Sequence, residues 1–170
     1  MSLPDPVVVR IHFERAGSGP PMLLLHGIGS SSRAFRGQLT DLSDAFDLIA
    51  WDAPGYGRSE DPPAPLALED VADRAVALLD ELEMTAAHVL GVSWGGAIAQ
   101  LVYHRHPARV RSLILVDTTT GGGSLPEPER TDRIRRRLDA LERLGPRGMA
   151  RERAPHLVGP DAPAELVAEL

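Results

Sequence analysis

Ser93 stands in the run Gly91-Val92-Ser93-Trp94-Gly95. A serine between glycines at this spacing suits attack on a carbonyl carbon. A serine hydroxyl is a weak nucleophile until a base takes its proton, and the oxyanion that it creates needs N–H donors. A nucleophile at a sharp strand-to-helix turn projects its oxygen clear of the backbone. Such a turn brings strand and helix nearly into contact, so Gly91 and Gly95 are needed for their small size. Gly96 and Ala97 keep the first helical turn slim. The N–H of Trp94, at the helix N-terminus, can point at a developing oxyanion. A second donor is expected from a loop after an earlier strand, and His26-Gly27-Ile28-Gly29 is such a loop. The N–H of Ile28 is the candidate, with Gly29 as the alternative. His26 precedes the loop and is read as its brace.

These groups work only if strands and helices deliver them to one place. Residues 7–13 read as a first strand, with branched and aromatic residues and no breaker. Residues 16–21 form a Gly/Pro turn. Residues 22–25 are a short apolar run that suits a strand buried on both faces. Residues 33–42 are helical in character, residues 47–51 are a strand, and residues 52–65 are a Pro/Gly-rich loop. Val71, Ala75, Leu78, Leu79 and Leu82 recur at helical spacing and mark a helix over residues 68–83. A strand at 88–90 leads into the Ser93 turn, and Ala97, Ile98, Leu101 and Val102 place a helix after it, stopped by Pro107. Residues 112–116 are one more buried strand, ending at Asp117. Alternation of this kind implies βαβ units, hence an α/β fold with a mostly parallel sheet and helices on both faces. After Asp117 the pattern changes. Residues 118–123 are a connector. Ser124 with Glu127 makes a capping box for a helix through Leu144, and residues 157–170 are loop and then helix. The expected division is a core over residues 1–120 and a helical segment over 121–170.

Composition narrows the classes. With 170 residues and 43% apolar content the chain can build a real core. All 18 basic residues are Arg, which excludes lysine chemistry. The net charge of −6 argues against nucleic acid as a partner. The dense basic run from Arg133 to Arg137 lies in an amphipathic pattern with Ile134, Leu138 and Leu141, so it is read as a solvated helix face. There is no Cys, so disulfides and thiolate sites are out. Residues 1–6 do not read as a signal peptide, and no apolar run of membrane length is read. A soluble cytoplasmic protein without metal or cofactor is expected. Nothing in the sequence sets an oligomeric state.

Three motifs occur in order: His26-Gly27-Ile28-Gly29, Asp52-Ala53-Pro54-Gly55-Tyr56-Gly57-Arg58-Ser59 and Gly91-Val92-Ser93-Trp94-Gly95-Gly96. Together they resemble the α/β-hydrolase superfamily, in particular its bacterial esterase, enol-lactonase and polyhydroxyalkanoate-depolymerase-like members. The resemblance implies Ser93 as nucleophile, Ile28 and Trp94 as oxyanion donors, a lid starting near Ser124, and a structural turn in the Asp52 loop. Members with a carboxylate nucleophile would carry Asp where Ser93 stands, so the resemblance favours ester, lactone or thioester chemistry.

The family order is Ser, then acid, then His. Three histidines follow Ser93. His104 and His106 lie about 15 Å or more along the helix from Ser93, at about 1.5 Å rise per residue. A cation near that helix C-terminus is reason enough for them, and their spacing puts them on different faces, which tells against a metal pair. His156 falls in the lid. Asp117 ends a strand at the same sheet edge as Ser93 and is the candidate acid. No strand is read after Val116, so the usual acid- and His-bearing strands are not found and the chain reads as the nucleophile half of the enzyme. On that reading the 112–116 strand becomes an apolar sheet edge. Two other readings exist. One is a hydrolase-fold remnant serving as scaffold or receptor. The other is a dinucleotide-binding domain, suggested by Gly27-Ile28-Gly29-Ser30-Ser31-Ser32 and Asp52, but it lacks the third glycine and leaves Ser93 unexplained.

Overall fold

The structure, a computed structural model, describes residues 9–119 and 126–165. The chain divides into two compact units, Met1–Gly121 and Gly122–Leu170.

The first unit is a five-stranded sheet in the order β1-β3-β2-β4-β5, built from β1 (Phe13–Ala16), β2 (Pro21–Leu25), β3 (Asp47–Trp51), β4 (Ala87–Val92) and β5 (Val110–Val116). Only β1 runs antiparallel to its neighbour; the other three pairings are parallel. Parallel strands need crossovers, and the helices α1 (Arg36–Asp41), α2 (Leu68–Glu81) and α3 (Trp94–Arg105) lie in those crossovers. The sheet is mostly parallel with helices on both faces, as the alternation of patterns implies.

Side chains alternate across the sheet and sort into two cores. Leu23, Leu25, Ile49, Trp51 and Val89 face α2 and α3, where they meet Val71, Ala75, Leu78, Leu79, Ile98 and Val102. Met22, Leu24, Leu48 and Ala50 face the other way, toward Phe35 and Leu39. This is why β2, and β3 after its first residue Asp47, are unbroken apolar runs. Complete burial of one such leucine contributes about 1.5–3 kcal/mol, so the two central strands anchor the unit.

One expectation changes. The first strand, expected at 7–13, pairs over Phe13–Ala16 instead; residues 7 and 8 lie outside the described residues. Val9 and Ile11 are buried as a strand would bury them. The intervening Arg10 and His12, however, bond through their backbone to the 52–60 loop: Arg10 N–H donates to Glu60 Oε2 (3.1 Å) and Arg10 O accepts from Glu60 N–H (3.1 Å), while His12 N–H donates to Ser59 Oγ (2.8 Å) and His12 O accepts from Asp52 N–H (2.8 Å). Side-chain acceptors there thus alternate with backbone bonds in place of a regular ladder. The apolar strand at 112–116 is β5, at the sheet edge as expected for a strand with none following it, with Ile114, Leu115 and Val116 about 40% exposed (39%, 43% and 43%).

In the second unit, the helical residues Glu129–Arg153, α4, are two helices joined across the non-helical Gly145 (φ 66°, ψ 173°) next to Pro146, so the first ends at Leu144 as expected. Proline removes a helix donor and restricts the residue before it, which accounts for the break. Arg133 to Arg137 are exposed, as expected of a solvated face. Ser124 of the expected capping box lies outside the described residues; Glu127 instead accepts from Arg130 Nε (2.7 Å) and Thr131 Oγ1 (2.6 Å). Residues 166–170, expected to be helical, also lie outside the described residues.

Candidate active site

In register, Leu25 of β2 pairs with Gly91 of β4, and Val92 of β4 pairs with Val116 of β5. The three strands therefore end together, and the residues that follow each of them, His26, Ser93 and Asp117, emerge at one edge of the sheet. In open parallel sheets, reactive groups gather at the carboxyl ends of strands.

Ser93 is the single residue between β4 and α3, and its backbone is strained (φ 53°, ψ −112°). Positive φ in a residue with a Cβ costs about 1–3 kcal/mol, and the surroundings must enforce it. Here they do. The Ser93 N–H donates to Val116 O (2.9 Å), the Ser93 carbonyl accepts from Gly96 N–H (3.0 Å) and Ala97 N–H (3.3 Å), and Thr118 Oγ1 donates to the same carbonyl (2.6 Å). The backbone is held on both sides while the residue stays exposed.

The glycines explain how strand and helix come so close. A Cβ on Gly91 would sit 2.6 Å from the Gly96 Cα, and one on Gly95 would sit 2.6 Å from the His26 carbonyl oxygen. A Cβ on Gly96 would meet the Thr118 side chain at 2.5 Å. Gly27 passes beside the serine, where a Cβ would lie 3.6 Å from Ser93 Cβ. The chain then turns, with Ser30 N–H donating to Gly27 O (3.2 Å) and Gly29 at φ 77°. Ile28 and Gly29 occupy the tip of that turn.

Behind the turn His26 is fully buried. Its Nδ1 lies 2.8 Å from Gly27 O and its Nε2 accepts from Ala53 N–H (3.1 Å). Burial pushes its pKa below the ordinary histidine value, against the opposing pull of the Gly27 carbonyl and the Asp52 charge. The ring is flanked by Tyr56 (centroids 5.2 Å) and Trp94 (6.3 Å), which pack on each other at 5.4 Å. Asp52 is buried and accepts from Ser32 N–H (2.7 Å) and Arg58 N–H (2.9 Å). Burial by itself would raise its pKa; those backbone donors outweigh it and hold the carboxyl below the usual range. Gly57 (φ 55°) presses on this carboxylate so closely that a side chain there would overlap it. The Asp52 loop is thus a structural turn that ties three segments together.

These features decide the family. A family model described as alpha/beta hydrolase fold matches residues 20–169. The chain belongs to the alpha/beta hydrolase fold family. It is 36% identical over 130 residues to the 2-hydroxymuconate semialdehyde hydrolase of Pseudomonas sp. (strain CF600), a match that covers 74% of this chain and 45% of that protein. It is 35% identical over 106 residues to the poly(3-hydroxyalkanoate) depolymerase of Ectopseudomonas oleovorans, covering 62% of this chain and 38% of that protein. Among solved structures, a thermophilic esterase from Thermogutta terrifontis superposes with a TM-score of 0.77 at 30% identity, covering 86% of this chain and 53% of that one. The chain spans about half the length, or less, of these relatives. Hydrolases of this alpha/beta fold therefore stand where the dinucleotide-binding reading stood, and that reading finds no support.

As a member of the alpha/beta hydrolase fold family, the chain has its expected groups in these places. Ser93, Trp94, Ile28 and Gly29 come together at the β2–β4 edge. Asp117 follows β5 at the same edge, exposed and at φ 43°. The histidine rings with hydrogen bonds make them elsewhere: His26 as above, His88 with Ser112 Oγ (2.8 Å) and His106 with Asp73 Oδ1 (2.7 Å). His106 and Arg105 both hold Asp73, so a tether between α3 and α2 adds to the helix-end charge expected there. His104 and His156 are exposed. No group of three metal-ligating side chains occurs among the described residues, and no helix there is long and apolar enough to cross a membrane. Two contributors were missed from sequence. Thr118 holds the Ser93 carbonyl and Tyr56 packs on Trp94. The only sequence signal for Thr118 is its place just after a strand, and that becomes informative once β5 is known to lie beside β4.

Proposed function

We propose that this chain is the nucleophile-bearing portion of a serine hydrolase that cleaves carboxylic ester, lactone or thioester bonds. The observation that carries the proposal is Ser93 itself: an exposed serine on strained backbone between β4 and α3. In this reading Ser93 Oγ attacks the carbonyl carbon and its proton passes to a base. The N–H groups of Trp94 and Ile28, with Gly29 as alternative, receive the oxyanion. Each such donor lowers the barrier by about 3–4 kcal/mol. Collapse expels the alcohol or thiol and leaves an acyl-enzyme, which water then hydrolyses. The base would be a histidine supplied by the remainder of a longer protein, in keeping with the length of the relatives. Asp117 is the candidate acid; its support is its place next to Val116, which is paired with Val92. Residues 121–170 would be the start of a helical lid, and the substrate a small ester-like molecule. The names of the relatives, a depolymerase of a polyester and a semialdehyde hydrolase, agree with carbonyl substrates.

Fluorophosphonate labelling followed by intact mass tests this. The full-length protein should gain one adduct, and Ser93→Ala should gain none; an adduct that persists in Ser93→Ala ends the assignment. The 170-residue chain by itself should show little ester turnover, because a triad lacking members keeps only about 10³–10⁴-fold over water. Robust turnover lost in His156→Ala would instead make the lid histidine the base.

A further inference from the structure

The oxyanion-side turn is held by a side chain whose two ring nitrogens have opposite duties. His26 Nδ1 faces the Gly27 carbonyl oxygen, which can only accept, so Nδ1 must carry a hydrogen. His26 Nε2 faces the Ala53 N–H, which can only donate, so Nε2 must present its lone pair. One protonation state alone satisfies both: the neutral Nδ1–H tautomer. We propose that His26 is a proton-sensitive positioning residue, which as a neutral ring ties residues 27–30 beside Ser93 to the Asp52 loop and on protonation lets go of them.

A second proton would put Nε2–H against Ala53 N–H, donor facing donor, inside a site with no exposed ring surface. The charged group that faces the ring is Asp52, whose oxygens are already engaged by Ser32 and Arg58 N–H groups. The other neighbours are the uncharged rings of Tyr56, from the 52–60 loop, and Trp94, from the start of α3. Nothing there replaces the Ala53 bond, so the protonated ring must turn or move. Residues 27–30 follow it directly in the chain, and Gly27 packs on Ser93. Acid would therefore loosen the oxyanion-side turn through a group distinct from the catalytic base. This inference rests on the reading that residues 27–30 flank the reacting serine.

Nitrogen-15 NMR on the 170-residue chain tests it without any assay of turnover. At pH 7.5 the His26 ring should show a protonated Nδ1 and an unprotonated Nε2. On acidification it should titrate below the ordinary value of 6.5, and the Ile28 and Ala53 amides should shift with the same midpoint. Ser93→Ala should behave identically, so this outcome stands or falls apart from the fluorophosphonate result. His26→Gln keeps an acceptor and cannot be protonated; its Ile28 amide should lose the transition. An Nε2–H tautomer, an ordinary midpoint, a silent Ile28 amide, or an Ile28 transition surviving in His26→Gln each overturns the proposal. The wild-type tautomer needs no variant to fold.

Discussion

Single residues around Ser93 carry opposing energies that can be separated. The φ of 53° costs stability, and the hydrogen bonds to its backbone offset that cost. Thr118 is the most informative of these partners, because its hydroxyl serves the strained carbonyl from a different strand end. Thr118→Val keeps the shape and removes the donor. It should cost about 1 kcal/mol in urea unfolding, the usual net value of one hydrogen bond, and should slow fluorophosphonate labelling of Ser93 in the full-length protein. A stability loss with unchanged labelling would mean that Thr118 holds the fold without holding the serine. His26 adds a pH term of known sign. Its folded pKa is depressed, so the stability tied to the neutral ring is present above the ordinary value of 6.5 and declines as the pH falls below it toward the folded value.

Helix placement is set by a few cross-links as well as by apolar stripes. Asp73 on α2 takes a two-pronged contact from Arg105 (2.9 and 2.6 Å) and a third bond from His106 (2.7 Å), fixing the far end of α3. The Arg105 hydrogen bond, followed by that from His106, holds the Asp73 carboxyl below its ordinary pKa of 3.8. A depressed carboxyl contributes stability that is fully present above the ordinary value and lost as the pH falls through the folded one. Asp73→Asn should therefore lower Tm modestly at pH 7, and the gap to wild type should close below about pH 4. Thermal scans at several pH values read this directly; a gap that is constant from pH 7 to pH 3 would show that the loss is one of packing. The tether is partly exposed (Asp73 side chain 40%), so salt should shrink its effect.

The whole first unit is asymmetric. Its β1 flank is engaged by the 52–60 loop, whereas β5 leaves Ile114, Leu115 and Val116 largely uncovered at the other edge. An apolar edge strand with unpaired backbone groups invites pairing with another chain. Ile114→Lys should cost little, because the residue is already 39% exposed, and should lower light scattering of the 170-residue chain at 37 °C. Unchanged scattering would place the association surface elsewhere, with the exposed stripe Ile134, Leu138 and Leu141 of α4 next to be tested.

Much of this was legible in the sequence, for local reasons. The alternation of apolar runs with helical spacing specified the parallel sheet, because strands buried on both faces must be apolar throughout. The glycines flanking Ser93 specified the tight turn, because no other residue allows backbones so close. The Ser93 and Gly27 segments could be named for the same reason. What the sequence left undecided depends on which strands are neighbours. Only the order β1-β3-β2-β4-β5 brings Thr118 onto the Ser93 carbonyl, Tyr56 onto Trp94 and Ala53 onto His26. These contacts join residues 25–38 positions apart, and nothing in local spacing encodes them. The edge position of β5 was already read from the order of elements; that Ile114, Leu115 and Val116 stay largely uncovered there was decided in three dimensions, because the burial of an apolar strand depends on having a neighbour on each side.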